Sequence, residues 1–227
     1  MLSIVNDQGI PPAGAVTLLR QDPENRGRNL FAAHCASCHR YNGHDGRGYP
    51  VDDRQSAPEL AGFASVDWIT KLLTHEHYTS EEYFGGTAFK DGTMARKVLA
   101  KYTPEETALL PRIARLLSDM AELPYQDPLD DEEREELLGL FYNDDMDFQD
   151  GLACIDCHDI DSEGDGYAPD LTGYGSDEWT VAFIKNPEDD RFYGEENDRM
   201  PCYGKDAKLS DEEIQILSDW IRSKPAE

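Results

Sequence analysis

The chain repeats itself once, and that repeat limits its fold more than any other feature. Ala57-Pro58-Glu59-Leu60, Gly62 and Trp68 recur as Ala168-Pro169-Asp170-Leu171, Gly173 and Trp179, all at a single offset of 111 residues. Each copy is headed by a Cys-x-x-Cys-His pentad: Cys35, Cys38 and His39 in the first, Cys154, Cys157 and His158 in the second. Further on, Tyr83-Phe84-Gly85 matches Phe192-Tyr193-Gly194, and Met94 matches Met200. Each copy then closes on a helix signal, Thr103 with Glu106 and Ser210 with Glu213, where the carboxylate stands three residues after the hydroxyl. The expected architecture is all-α, in two tandem units with long loops. Residues 1–21 read as an extended lead-in, 22–125 as the first domain and 126–227 as the second.

Periodicity fills in the helices. Ile214, Leu217, Trp220 and Ile221 form one apolar stripe, and Leu109, Leu110, Ile113, Leu116 and Leu117 form its counterpart. Pro104 suits a first helical position, whereas Pro111 inside the stripe predicts a kink or a late helix start. Gly27, Phe31 and Cys35 are spaced by four on one helix face, and Glu132 to Phe141 reads as another helix. Asn143 to Asp150 reads as an acidic inserted loop. The glycine-rich runs Asn42 to Gly46 and Glu163 to Gly166 exclude regular structure. A core this interrupted by loops is thin, and a large apolar group bound in each copy would complete it.

The pentads say which group. Cys-x-x-Cys-His marks covalent haem attachment, with the thiols adding to the vinyl groups and the next residue, His39 or His158, lying under the iron. Two Cys-x-x-Cys pairs also suit a zinc ribbon, but here each pair carries its own histidine and heads its own repeat. Two covalently bound haem c groups are therefore expected. A thioether is the common sixth ligand, and Met94 and Met200 stand at matching places in loops. His75 and His77, which flank Glu76, are the alternative to Met94, and Cys202 is the alternative to Met200. Met120 and Met146 read as core filler or surface, and His34 and His44 carry no assigned role. Pro58 and Pro169 are expected to set their rings and carbonyls against the proximal histidines and so orient them. Trp68, Trp179, Tyr83, Phe84, Phe192 and Tyr193 are expected to wall the pockets.

Charge is divided unevenly. Residues 128–227 hold 30 Asp and Glu against 8 Lys and Arg, and residues 1–127 hold 17 against 13, so the net charges are −22 and −4. With no basic footprint, a nucleic-acid partner is excluded, while an acidic second half would steer a cationic redox protein. No apolar run reaches the roughly 20 residues of a bilayer span, and Met1 to Arg20 has no signal-peptide pattern. Haem attachment takes place outside the bacterial cytoplasm, so the chain is expected to be periplasmic or otherwise extracytoplasmic. It would be the soluble fragment of a protein that is exported and membrane-attached.

Together these residues resemble class I cytochrome c domains in tandem over about Asp22 to Lys224. Within the first copy, Leu18 to Pro23, Leu30 to Cys35, Phe63 to Trp68 and Tyr83 to Thr87 are similar to the c-type extension fused to cytochrome b in some bacterial quinol-oxidising complexes. That resemblance implies electron transfer without bond chemistry of its own. The donor would be a Rieske/cytochrome b complex, and the acceptor a cytochrome c or an oxidase. Asn143 to Asp150 and the acidity of the second copy depart from the family pattern. An enzyme of the two-haem peroxidase kind, or a haem-based sensor, stands as the alternative; either needs one iron open.

Overall fold

The computed structural model describes residues 22–51, 55–161 and 166–224. The lead-in with Pro11-Pro12 and the run Glu163 to Asp165 lie outside the described residues. Among the described residues the regular structure is helical, with no β-strand beyond isolated bridges that join Tyr41, His44, Asp45 and Pro50.

Each helix begins where its capping chemistry dictates. Helix α1 (Pro23–His34) has proline in its first turn and buries Gly27 and Phe31. Helices α2 (Val66–Leu72) and α6 (Asp177–Lys185) start at equivalent serines. Ser65 Oγ accepts from the Trp68 N–H at 3.2 Å, and Ser176 Oγ from the Trp179 N–H at 3.1 Å. A single turn, α3 (His75–Tyr78), follows α2. Helices α4 (Pro104–Met120) and α7 (Asp211–Ile221) both carry the full capping box. Helix α5 (Asp131–Tyr142) is capped by Asp130 and ends at Asn143 in a left-handed conformation, φ 62°.

Two local expectations need correcting. Helix α4 starts at Pro104 and continues through Pro111 without interruption. Pro111 is on the exposed face, where the carbonyl it leaves without an N–H partner is open to water, so the helix need not break. Met94 is not in a loop; it opens a π-helical segment, Met94–Leu99, whose Ala95 and Leu99 pack on Tyr78.

The first and last helices of each repeat do not pair with each other. Helix α1 of the first copy packs on α7 of the second, and α4 of the first copy packs on α5 of the second; α2 with α4 and α6 with α7 stay within a copy. At the first crossing a Cβ on Gly27 would lie 2.4 Å from Trp220 Cβ, so glycine alone lets α1 and α7 approach this closely. Trp220 stacks there on Tyr41 and Phe31, with centroids 4.2 and 5.2 Å away, and Arg26 pairs with Glu212 at 2.6 Å. Where the copies cross, a Cβ on Gly175 (φ +74°) would lie 2.5 Å from Ala64 Cβ and 3.1 Å from Ala121 Cβ. The buried guanidinium of Arg222 fastens the same junction, donating to the carbonyls of Gly175 at 3.0 Å and Ala121 at 2.8 Å.

The linker accounts for the exchange. It joins α4 to α5 and is tied to α4 throughout: Asp119 Oδ1 accepts from the Leu129 N–H at 2.7 Å, Arg115 donates to the Asp127 carbonyl at 2.9 Å, and the buried Asp119 carboxylate pairs with Arg134 at 2.6 Å. A linker held this way turns the chain straight back, so α5 lands on α4. Helices α1 and α7 are left for each other.

Candidate functional site

Both pentads have the same local geometry. The Cys35 carbonyl accepts from Cys38 N–H at 3.0 Å and His39 N–H at 2.9 Å; the Cys154 carbonyl accepts from Cys157 at 3.2 Å and His158 at 2.9 Å. Both cysteines of each pair thus lie on one tight turn, and none of the four is in a disulfide. Burial pushes the Cys35 and Cys154 thiols up to about 12, so both are protonated near neutrality.

A second segment ties back onto each turn. Leu60 N–H donates to the Arg40 carbonyl at 2.9 Å, and Leu171 N–H to the Asp159 carbonyl at 2.8 Å. This holds the Pro58 carbonyl 2.7 Å from His39 Nδ1 and the Pro169 carbonyl 2.8 Å from His158 Nδ1. A carbonyl can only accept, so Nδ1 carries the proton in both rings and the lone pair is on Nε2. Burial also lowers both histidine pKa values, against the carbonyl bond, which favours the cation. Each copy therefore presents a neutral imidazole with its Nε2 free to bind a metal. The loops between histidine and proline differ, spanning 19 residues in the first copy and 11 in the second, yet they deliver the same bond.

Aromatic side chains line the middle of the molecule and cross between the copies. Phe63 lies 5.2 Å from Trp68 and 6.4 Å from Trp179, and Trp179 lies 5.2 Å from Phe192. Phe89 of the first copy stacks on Tyr193 of the second at 4.9 Å. Trp68 Nε1 donates to the Glu59 carbonyl at 2.7 Å, whereas the buried Trp179 Nε1–H has no hydrogen-bond partner among the described residues. Thiols outside any disulfide, neutral imidazoles, apolar aromatic walls and a spare buried donor together fit haem. Among the described residues no group of three or more His, Cys, Asp or Glu is placed to hold a metal ion, so the two cysteine pairs do not converge on one centre.

The remaining sequence candidates sort as follows. Met94 and Met200 are both partly buried and pack against the main core. Cys202 is buried and bonded to Glu188. His75 is exposed at the start of α3. Met120 packs on the core and Met146 is 83% exposed. Sequence reasoning missed two tyrosines that cross the repeats. Tyr102 donates to the Leu152 carbonyl at 3.0 Å, beside the second pentad, and Tyr203 donates to the His34 carbonyl, beside the first. Nothing in the repeat signals either contact, because each joins residues of different copies.

In comparison with known proteins, the family model described as Cytochrome c matches residues 24–110 and 147–225. A search of curated proteins and a search of solved structures each give no match.

Proposed function

This chain belongs to the cytochrome c family, and on that premise we propose that it is a di-haem electron carrier serving as the soluble part of a membrane-bound quinol-oxidising respiratory complex. Cytochrome c domains bind haem covalently, transfer electrons and typically work outside the cytoplasm; the repeat supports a count of two haems, and the resemblance of the first copy supports the complex. The observation that carries it is the twofold occurrence of one arrangement. A pair of unoxidised thiols is followed by a histidine whose Nδ1–H is held by a proline carbonyl, at His39 with Pro58 and at His158 with Pro169. Bound haem supplies a one-electron iron couple. The protein fixes the imidazole ring, keeps it neutral and surrounds the group with apolar side chains, which disfavours charge build-up and holds the iron's ligands still.

Met94 and Met200 are the sixth ligands in this reading. A thioether favours ferrous iron and leaves no position open for substrate, which separates an electron carrier from a peroxidase or sensor. The resemblance of the first copy to the extension of cytochrome b supports a donor of the Rieske/cytochrome b kind. The net −22 of residues 128–227 supports a cationic acceptor. No helix among the described residues is long and apolar enough to cross a membrane, so attachment to the complex would come from elsewhere in the protein.

The test is haem quantitation with the visible spectrum of dithionite-reduced protein before and after carbon monoxide. Two haems per chain and an unchanged spectrum are expected. One haem per chain would refute the di-haem reading, and a shift of about half the signal would refute closed coordination at both irons. For the complex, rapid reduction by quinol in membranes that hold the cytochrome b partner is expected, and its absence would remove that part of the proposal.

A further inference from the structure

We infer that the two metal pockets are assembled across the repeats: Met200 serves the pocket of Cys35, Cys38 and His39, and Met94 serves the pocket of Cys154, Cys157 and His158. This rests on the reading of Met94 and Met200 as iron ligands. The sequence alone pairs each methionine with the pentad of its own copy, and the packing points the other way.

The helix that follows each methionine shows where that methionine's segment is held. Helix α4 follows Met94 and packs on α5, the helix that leads into Cys154; α7 follows Met200 and packs on α1, which ends at Cys35. Between methionine and helix, each segment is also fastened to the other copy. Tyr102, eight residues after Met94, donates to the Leu152 carbonyl and lies 5.5 Å, centroid to centroid, from Phe148. Tyr203, three residues after Met200, donates to the His34 carbonyl, next to Cys35. Met94 itself packs in the small cluster of Tyr78, Ala95 and Leu99, which Tyr102 also joins.

The acidic insertion completes the second pocket. Gln149 N–H donates to Glu106 Oε1 at 2.8 Å and Gln149 Nε2 to Glu106 Oε2 at 3.1 Å, clamping the approach to Cys154 onto the first turn of α4. The proximal half of each pocket therefore comes from one copy, and the segment that carries the distal thioether comes from the other. Neither repeat holds a complete site by itself.

The test uses the full chain with Cys35→Ala and Cys38→Ala, so that only the second pentad attaches haem. In that background Met94→Ala is expected to abolish the sulfur-to-iron charge-transfer band of the oxidised protein and to create carbon monoxide binding, while Met200→Ala leaves the band in place. Loss of the band with Met200→Ala and its retention with Met94→Ala would overturn the exchange while leaving two methionine-ligated haems intact. Retention with both would overturn methionine ligation of this haem and the inference with it. Should the single-haem chain not fold, the reduced two-haem protein with ¹³C-methyl methionine decides. Nuclear Overhauser contacts from the Met200 methyl to the haem bearing the Cys35 and Cys38 thioethers are expected, and contacts to the haem of Cys154 and Cys157 would overturn it.

Discussion

Two of the contacts that join the copies are helix crossings, and they differ in chemistry. The α1–α7 crossing is apolar: Trp220 closes over Gly27, Phe31 and Tyr41, with a single rim pair between Arg26 and Glu212. The α4–α5 crossing also buries apolar side chains, Leu137, Leu140 and Phe141 of α5, and adds polar ties at its rim, Asp119 with Arg134 and Arg112 with Glu136; Glu106 with Gln149 clamps the segment that follows. The residues of the first are far apart in sequence, so ordering them closes a long loop, and this must be offset by area removed from water. The second is a hairpin whose ends the linker already holds together. Directional bonds are added to the apolar contact there, and they fix register. The same task of seating a helix beside a pentad thus takes an apolar lock where the chain is long and an apolar contact reinforced by a hydrogen-bonded clamp where it is short.

If that contrast is right, substitutions should fall in a definite order. Trp220→Ala should cost the most, about 3–5 kcal/mol by cavity formation, measured by denaturant unfolding of the haem-loaded protein. Loss under about 1 kcal/mol would mean that α7 is not seated on α1. Glu106→Ala should come next, at about 1–3 kcal/mol, because it removes a buried carboxylate and the partly buried hydrogen bonds it accepts from the Gln149 and Thr103 N–H groups. The same carboxylate predicts a pH dependence. Burial raises its pKa, but the N–H donors of Thr103 and Gln149 outweigh burial and hold it below its ordinary 4.5. Its contribution is therefore present above about pH 4.5 and is lost as pH falls below that, through the lower folded-state value. Glu106→Gln should flatten the acid limb of the stability curve, and an unchanged limb would refute the clamp.

Smaller effects sharpen the comparison. Gly27→Ala should destabilise by about 1–3 kcal/mol although alanine is the better helix former, since its Cβ would force α1 off Trp220. A gain in stability would show that the helices do not touch there. Arg112→Ala should cost under about 1 kcal/mol, because its pairing with Glu136 is exposed. Electron transfer to a cationic acceptor should slow as salt rises past about 0.1 M, where the Debye length is about 10 Å; a flat response would remove the acidic half from docking.

Much of this was legible in the sequence because it is local. Ser210 with Glu213 and Thr103 with Glu106 announced their helices, and His39 and His158 announced their ring environment through the proline segments. Pro111 did not delay the start of α4 because it lies on the exposed face, where the carbonyl left without an N–H partner meets water. Met94 misled because Gly92 and the polar residues before it read as a loop, while Ala95 and Leu99 pull the next turn onto Tyr78. The exchange of helices was not legible at all. A repeat shows that α1 wants a terminal helix, and α4 and α7 carry the same apolar stripe; only the short linker and the fit of Trp220 against Gly27 choose between them.

The most direct measurement of this arrangement is the nuclear Overhauser spectrum of the reduced, haem-loaded protein at a concentration where it is monomeric. The exchange predicts strong contacts between the Gly27 Hα protons and the Trp220 side chain, within one molecule. Contacts from Gly27 to the Leu116 and Leu117 side chains of α4 in their place would contradict it, and each repeat would then fold on its own helices.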